Sequence, residues 1–223
     1  MPKTAGKKAA RRRSAPPDRV TEQRILDAAR AVFIRRGTAG ARMQEIATEA
    51  GVNQALLHYY FRSKERLSAA VFAQMASRLF PALIQTLGAE MSLDEKIDAL
   101  IGLYLENLSR NPFLPGYLLS ELHHHPERLP QLLAAATGAD PGAVLPRAFK
   151  KLGDQIAARV KAGTMRPISP EQFAANLISL CVFPFAARPM LSMVFGMDDA
   201  AFARFIERRK TELPEFFRNA LRP

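Results

Sequence analysis

Residues 43–61, Met43-Gln44-Glu45-Ile46-Ala47-Thr48-Glu49-Ala50-Gly51-Val52-Asn53-Gln54-Ala55-Leu56-Leu57-His58-Tyr59-Tyr60-Phe61, decide the fold. Met43, Ile46, Ala47 and Ala50 recur at the spacing of one helical face. Gly51 stands where the chain must turn, and Asn53 is a cap residue opening a second short helix over 54–60. Two short helices meeting at a glycine have the proportions of a helix-turn-helix, whose second helix enters a DNA major groove. The side chains at the start and outer face of that helix are then the ones that meet DNA. Here they are Gln54, Ala55, His58, Tyr59 and Tyr60, with Asn53 at the cap and Arg62 and Lys64 just beyond. Glutamine pairs bidentately with adenine, alanine touches a thymine methyl, and tyrosine and lysine hold phosphates. Lys64 also begins the following helix, where free amides attract a phosphate. A helix this short cannot bury four consecutive bulky residues, 58–61, on one stripe. Leu56, Leu57 and Phe61 are expected inside and Tyr59 outside.

Outward from this stretch the chain reads as helix after helix. Upstream, Asp18 is a plausible cap, Ile25, Ala28, Val32 and Phe33 form a stripe, and Gly37 follows Arg35-Arg36 as a terminator. Downstream, Ser63 caps a helix with the stripe Leu67, Val71, Met75 and Leu79, expected to be disturbed at Pro81. Ser92-Leu93-Asp94-Glu95 is a capping box, and Asn111-Pro112 closes its helix. A helix is expected over 113–125, ended by Pro126. Asp140-Pro141 and Ser169-Pro170 each place a cap before a proline at the first helical position. The helix after Ser169 is apolar almost all round, and a last one starts near Asp198-Asp199 with an expected kink at Pro214. No segment alternates with the two-residue period of a strand. The expectation is an all-α chain of nine or ten helices: a three-helix head over 18–67 and a larger helical domain over 68–223.

The net charge of +11 is unevenly placed: residues 1–70 hold 15 Lys/Arg against 6 Asp/Glu, leaving the remainder nearly balanced. A polyanion partner for the N-terminal part follows. Residues 1–17, with Lys3, Lys7, Lys8 and Arg11-Arg12-Arg13 among Ala, Ser and Pro, read as a disordered basic arm. It either lies along DNA or is a solvated tail. The single cysteine, Cys181, sits in an apolar run and reads as a core residue. The basic start lacks a following apolar region, and the greasiest stretch, 177–187, is short and holds Pro184. A soluble cytoplasmic protein with no membrane partner is expected.

The strings from Ile25 through Phe33, Gly37, Ile46-Ala47, Ala50-Gly51-Val52 and Leu57-His58-Tyr59-Tyr60-Phe61-Arg62-Ser63-Lys64-Glu65-Arg66-Leu67 resemble the DNA-binding head of the tetracycline-repressor (TetR) family. The resemblance covers about fifty residues and implies an all-helical homodimer reading a palindromic operator in double-stranded DNA. It also implies that 68–223 holds a small-molecule pocket and the dimer interface. Carried over, the DNA-contacting positions are Gln44, Gln54, Ala55, His58, Tyr59, Tyr60 and Lys64. Two departures stand out: His58 replaces a frequent tyrosine, and Ala41-Arg42 replaces the usual Ser/Thr cap, so Arg42 is expected to meet a phosphate itself. The resemblance also suggests a four-helix bundle between subunits burying Phe173, Leu177, Leu180, Phe202 and Phe205.

Residue chemistry alone suggests Tyr104, Phe113, Tyr117 and His124 as pocket lining, against a plain core role. Met190, Met193 and Met197 suit a pocket wall or filler. Glu121 with His124 or His125 has metal-ligand spacing, but consecutive histidines diverge, and a polar helix end explains them. No metal or cofactor is expected. No nucleophile, base and orienter set or phosphate loop is visible, so the chain is not expected to be an enzyme. The expected function is a ligand-responsive repressor released by a small apolar effector of unknown identity. A constitutive or architectural DNA binder is the alternative.

Overall fold

A computed structural model of the chain describes residues 19–124 and 126–223. The basic arm over 1–17, the Asp18 cap and His125 lie outside the described residues, as do the side chains of Glu121 and His124. Among the described residues there are eleven α-helices, one 3₁₀ turn at Pro126–Arg128 and no strand. The head comprises α1 (Arg19–Gly40), α2 (Met43–Glu49) and α3 (Gln54–Phe61). Its core is the stripe Ile25, Ala29, Val32 and Phe33 packed on Ile46, Ala47, Leu57 and Phe61. Gly37 has a φ of 68° and breaks α1 one turn before its end, as a residue without Cβ can do without strain.

The body begins with α4 (Lys64–Gly88), followed by α5 (Leu93–Arg110), α6 (Leu114–His124), α7 (Leu129–Thr137) and α8 (Pro141–Lys161). The chain closes with α9 (Pro170–Ala186), α10 (Arg188–Phe195) and α11 (Asp199–Ala220). The expected caps form. Asn53 accepts from the Leu56 amide at 2.7 Å, Ser63 from Arg66 at 3.3 Å and Asp198 from Ala201 at 2.7 Å. Ser92 and Glu95 exchange both bonds of their capping box. Arg42 stands at the start of α2 without a side-chain cap, as its departure from Ser/Thr leads one to expect.

α4 is the hub, packing on α1, α5, α7 and α8. It is the one described helix long and apolar enough by itself to cross a bilayer, but Leu67, Val71, Phe72, Met75, Leu79, Leu83 and Leu87 are buried in the core. It runs unbroken through Pro81, contrary to expectation. A buried stripe continues on both sides of the proline, and burial at ~1.5–3 kcal/mol for each large side chain outweighs one lost hydrogen bond. α11 passes Pro214 in the same way, between buried Leu213 and Phe217. The boundary expected at 67/68 falls in the first turn of α4, so head and body share a continuous rod. Two helices, α7 and α10, were not foreseen; both are short and carry prolines near their starts.

Candidate nucleic-acid interface

The turn between α2 and α3 is built from three directions. Gly51 adopts φ 62°, the left-handed region that glycine enters freely. The Val52 amide donates back to the Ala47 carbonyl at 3.0 Å. From α1, the Arg24 guanidinium donates through Nη2 to the carbonyls of Ala50 at 2.7 Å and Gly51 at 3.3 Å. Two further arginines of α1 brace α2: Arg35 pairs with Glu49 at 2.7 Å and Arg36 with Glu45 at 3.6 Å. The Arg35 hydrogen bond holds the Glu49 carboxyl below the usual carboxylate range. The acidic face of α2 is thereby neutralised beside the exposed side chains of Arg42 and Gln44.

On α3, Leu57 and Phe61 are buried and Leu56 is half-buried, whereas Gln54, Ala55 and His58 are exposed and Tyr59 keeps 48% of its surface open. Asn53, its side chain engaged as the cap, is also at the surface. Tyr60 is half-buried against the core, its ring 6.4 Å from Phe61 and 5.6 Å from Tyr59. The ring thus packs α3 onto the head. Lys64 is not a free cation either. Its Nζ donates to the carbonyls of Ala39 at 3.1 Å and Ala41 at 3.3 Å, tying the start of α4 to the loop before α2. An ammonium has three donors, which leaves one for a phosphate. His58 Nδ1 lies 3.3 Å from the Arg62 carbonyl, and Arg62 closes α3 at a φ of 25°. Sequence reasoning missed Arg24, because its partners lie 26 and 27 residues away.

In the body, a cavity of about 150 Å³ lies between α4, α5, α8 and α9, lined almost wholly by apolar side chains including Phe80, Leu87, Leu100, Phe149 and Leu177. Tyr104 is its hydroxyl-bearing wall, and burial pushes that phenol well above its ordinary range. Two of the other suggested lining residues, Phe113 and Tyr117, stand elsewhere. Phe113 packs 6.0 Å from Phe33 of the head, at the junction of head and body, and Tyr117 packs 5.2 Å from Phe72, joining α6 to α4. Met190 and Met193 are exposed on α10, away from the cavity. The far end of α4 is anchored beside it. Buried Lys96 donates to the Leu87 carbonyl at 2.6 Å and Lys151 to that of Gly88 at 3.0 Å, and burial lowers the Lys96 pKa.

Three of the five expected interface residues need a correction. Phe173, Leu177 and Phe202 are buried within the chain itself, with Phe173 against Phe217 and Phe202 against Phe185. Leu180 and Phe205 are half-buried, Arg209 lying over the Phe205 ring. α9 and α11 both pack on α5, and their phenylalanines meet one another within one copy. The apolar surface left open is Ile178 and Phe183 on α9, Met193, Val194 and Phe195 on α10, and Phe216 on α11. Among the described residues no cluster of His, Cys, Asp or Glu has the makings of a metal site.

An all-helical chain with an N-terminal helix-turn-helix head on a larger helical body containing a cavity is the class of protein these features define. The family model described as "Bacterial regulatory proteins, tetR family" matches residues 25–71. The HTH-type transcriptional repressor NicS of Pseudomonas putida is 30% identical over 190 residues, covering 80% of this chain and 82% of that protein. The HTH-type transcriptional regulator BetI of Rhizobium meliloti is 37% identical over 82 residues, 37% of this chain; the match spans only 40% of BetI. In fold, the chain is similar to the hemolysin II transcriptional regulator HlyIIR, with a TM-score of 0.58 at 22% identity over 92% of this chain and 98% of that one. It is also similar to the ketosteroid transcriptional regulator KstR2 of Mycobacterium tuberculosis, with a TM-score of 0.62 at 14% identity over 93% and 97%. The chain belongs to the tetR family of bacterial regulatory proteins.

Proposed function

We propose that the chain is a dimeric transcriptional repressor of the cytoplasm that binds a palindromic operator and is released by a small apolar molecule. The observation that carries this reading is the outer face of α3. It presents Gln54, Ala55, His58 and Tyr59 on a helix fixed to the head by buried Leu57 and Phe61. In a major groove, Gln54 reads adenine, Ala55 meets a thymine methyl, and Tyr59 and His58 lie against the backbone. Arg42, Gln44 and the remaining donor of Lys64 hold phosphates alongside. The role is one of binding rather than catalysis.

Release works through α4. One end of this helix carries Lys64, tied to the head, and the other carries Phe80, Leu83, Ile84 and Leu87 in the cavity wall. A cavity of about 150 Å³ holds a benzene-sized molecule. A larger effector must widen it by displacing α4 from α8 or α9, and the head moves with the rod. Only preference for the displaced arrangement is required of the ligand. The second copy docks through the apolar faces left open on α9, α10 and α11.

The test is fluorescence anisotropy of the full chain with DNA flanking its own gene, against a scrambled duplex, across a salt series. A strong preference for the native duplex with a steep salt slope is expected. Equal binding to every duplex tried, including one selected from a random pool, would replace this reading with a sequence-blind architectural one.

A further inference from the structure

The apolar cavity between α4, α5, α8 and α9 has a single polar side chain in its wall, and that side chain is unsatisfied. Tyr104 carries the hydroxyl; every other lining residue is leucine, isoleucine, phenylalanine or alanine. The hydroxyl makes no hydrogen bond among the described residues. Nor is it one of the orphaned polar atoms sealed away from water, as Gln155 Oε1 and Arg209 Nε are. It therefore opens onto the cavity that its ring lines. A water placed there would have this hydroxyl as its one side-chain partner, whereas buried waters ordinarily make about three hydrogen bonds. The space suits an apolar guest that brings one partner for a phenol.

We propose that the ligand of this cavity is a neutral carbonyl compound without N–H or O–H groups, its oxygen accepting from the Tyr104 hydroxyl and its compact hydrocarbon body lying against Leu83, Leu100 and Leu177. Its action as the effector rests on the function proposed above; its binding does not. Charge sets the first limit, because no charged side chain lines the cavity. The ammonium groups beyond Leu87 are engaged, Lys96 on the Leu87 carbonyl and Lys151 on the Gly88 carbonyl and Glu90. Arg209, on the far side of α9, is held by the Leu180 carbonyl. A carboxylate or ammonium among these walls would find no counter-charge to offset its desolvation.

Hydrogen counting separates the neutral classes. Burial keeps the Tyr104 phenol protonated by raising its pKa, so it stands as a donor at every physiological pH. A hydrocarbon leaves that O–H unpaired. An alcohol pairs with it, but two hydroxyls joined by one bond leave one hydrogen unpaired whichever of them donates. A carbonyl oxygen takes the phenol hydrogen and brings none of its own, and it projects clear of its carbon body where an ether oxygen does not. The bond joins the ligand to α5 while its body presses on Leu83 and Leu87 of α4. Tyr104 is thus the specificity-determining residue of the site.

Cyclohexanone is the probe, titrated into the isotope-labelled full chain without DNA while the methyl resonances of Leu83, Leu100 and Leu177 are followed. A saturable shift is expected with a Kd on the order of 1–10 mM, the range open to so small a molecule. Toluene, with the same number of heavy atoms and no carbonyl, is the comparison. Tyr104→Phe should weaken cyclohexanone about fivefold, the worth of one hydrogen bond between neutral groups, and leave toluene unchanged or tighter. Cyclohexanol should bind more weakly than cyclohexanone, and cyclohexanecarboxylate should give no saturable shift. Because the variant loses a hydroxyl that has no partner, its thermal midpoint should hold or rise; a fall would place a partner within the chain and overturn the proposal. Equal effects of Tyr104→Phe on ketone and toluene, a carboxylate or alcohol that matches the ketone, or no binding of the ketone would each overturn it as well. Toluene binding alone leaves an apolar effector standing without the carbonyl. Ketone binding that leaves operator affinity unchanged overturns the release reading and leaves the ligand class intact.

Discussion

Arg24 of α1 donates to the carbonyls of Ala50 and Gly51 at 2.7 and 3.3 Å, so the first helix of the head grips the turn that aims the third. The two carbonyls close α2 and would otherwise face water, because the chain turns away from helical geometry at Gly51. Arg24→Ala should lower stability by about 1–2 kcal/mol, the range for a charged donor on a partly exposed carbonyl. It should weaken operator binding by more than that loss of folded population explains, because α3 loses its brace. Denaturant titration and anisotropy on one preparation separate the two effects. Unchanged DNA affinity would mean that the α2 and α3 packing alone sets the turn.

Gly51 is the other half of that relationship. Its φ of 62° strains any residue with a Cβ, and a Cβ there would stand 3.3 Å from Arg24 Nη2. Gly51→Ala should destabilise the head by roughly 1–2 kcal/mol. The guanidinium can give way, so most of the loss should come from the backbone. In the Arg24→Ala background the loss should shrink by only a few tenths of a kcal/mol, which a double-mutant cycle measures. A penalty that vanished there would assign it to the contact instead.

The head was legible from its residues because every signal there is local. Gly51, Asn53, Ser63 and the stripe from Ile25 to Phe33 each act within a few residues of themselves, and their spacing carries the geometry. The same held for Ser92, Asp140 and Ser169 in the body. What stayed hidden was long-range. Arg24 meets carbonyls half a domain away in sequence, Lys64 reaches back to Ala39, and Phe113 packs on Phe33. An apolar helix such as α9 announces burial but not by what, so Phe173 and Phe202 were assigned to a partner when Phe217 and Phe185 of the same chain already cover them. Prolines misled for a related reason: Pro81 and Pro214 disrupt an isolated helix, yet with tertiary packing on both sides α4 and α11 run through them unbroken.

Lys64 has two of its three donors engaged on the loop before α2. If the third meets a phosphate, Lys64→Gln should cut operator affinity roughly equally for all sequences and reduce the salt slope by about 1. Losing the two loop contacts should also cost about 1 kcal/mol of stability. A slope unchanged from the parent would confine Lys64 to tying α4 to the head.

Cys181 is fully buried on α9, and burial pushes its thiol up from an ordinary value near 9 to about 12. A thiol reagent at pH 8 should therefore label the native chain at least about a hundredfold more slowly than the unfolded one. Because the folded pKa is the higher, the unfolded chain loses its proton first, and this residue's contribution to stability falls as pH rises from about 9 towards 12. Cys181→Ala should abolish that part of the alkaline slope, as denaturation at successive pH values would record. Rapid labelling at pH 8 would mean that α9 opens readily around the cavity.

Phe183 tests the second copy, because it keeps 53% of its surface open while Cys181, Pro184 and Phe185 beside it on α9 are buried. An aspartate there adds a charge to solvent in the isolated chain but buries one in a subunit interface, where an unpaired charge costs several kcal/mol. Phe183→Asp should therefore leave helix content and thermal unfolding of the protomer intact while shifting sedimentation from dimer towards monomer by at least tenfold in Kd. Phe195→Asp on α10, 64% exposed, should do the same if both helices contribute. Phe173→Asp is the contrasting case: at 1% exposure and packed on Phe217, it should unfold the body itself. Operator binding should fall with dimerisation in the first two variants, since a monomer holds one half-site and loses the advantage of the linked second head. A parent chain that sediments as a monomer at micromolar concentration, or a Phe183→Asp variant that remains dimeric alongside Phe195→Asp, would move the interface off this face.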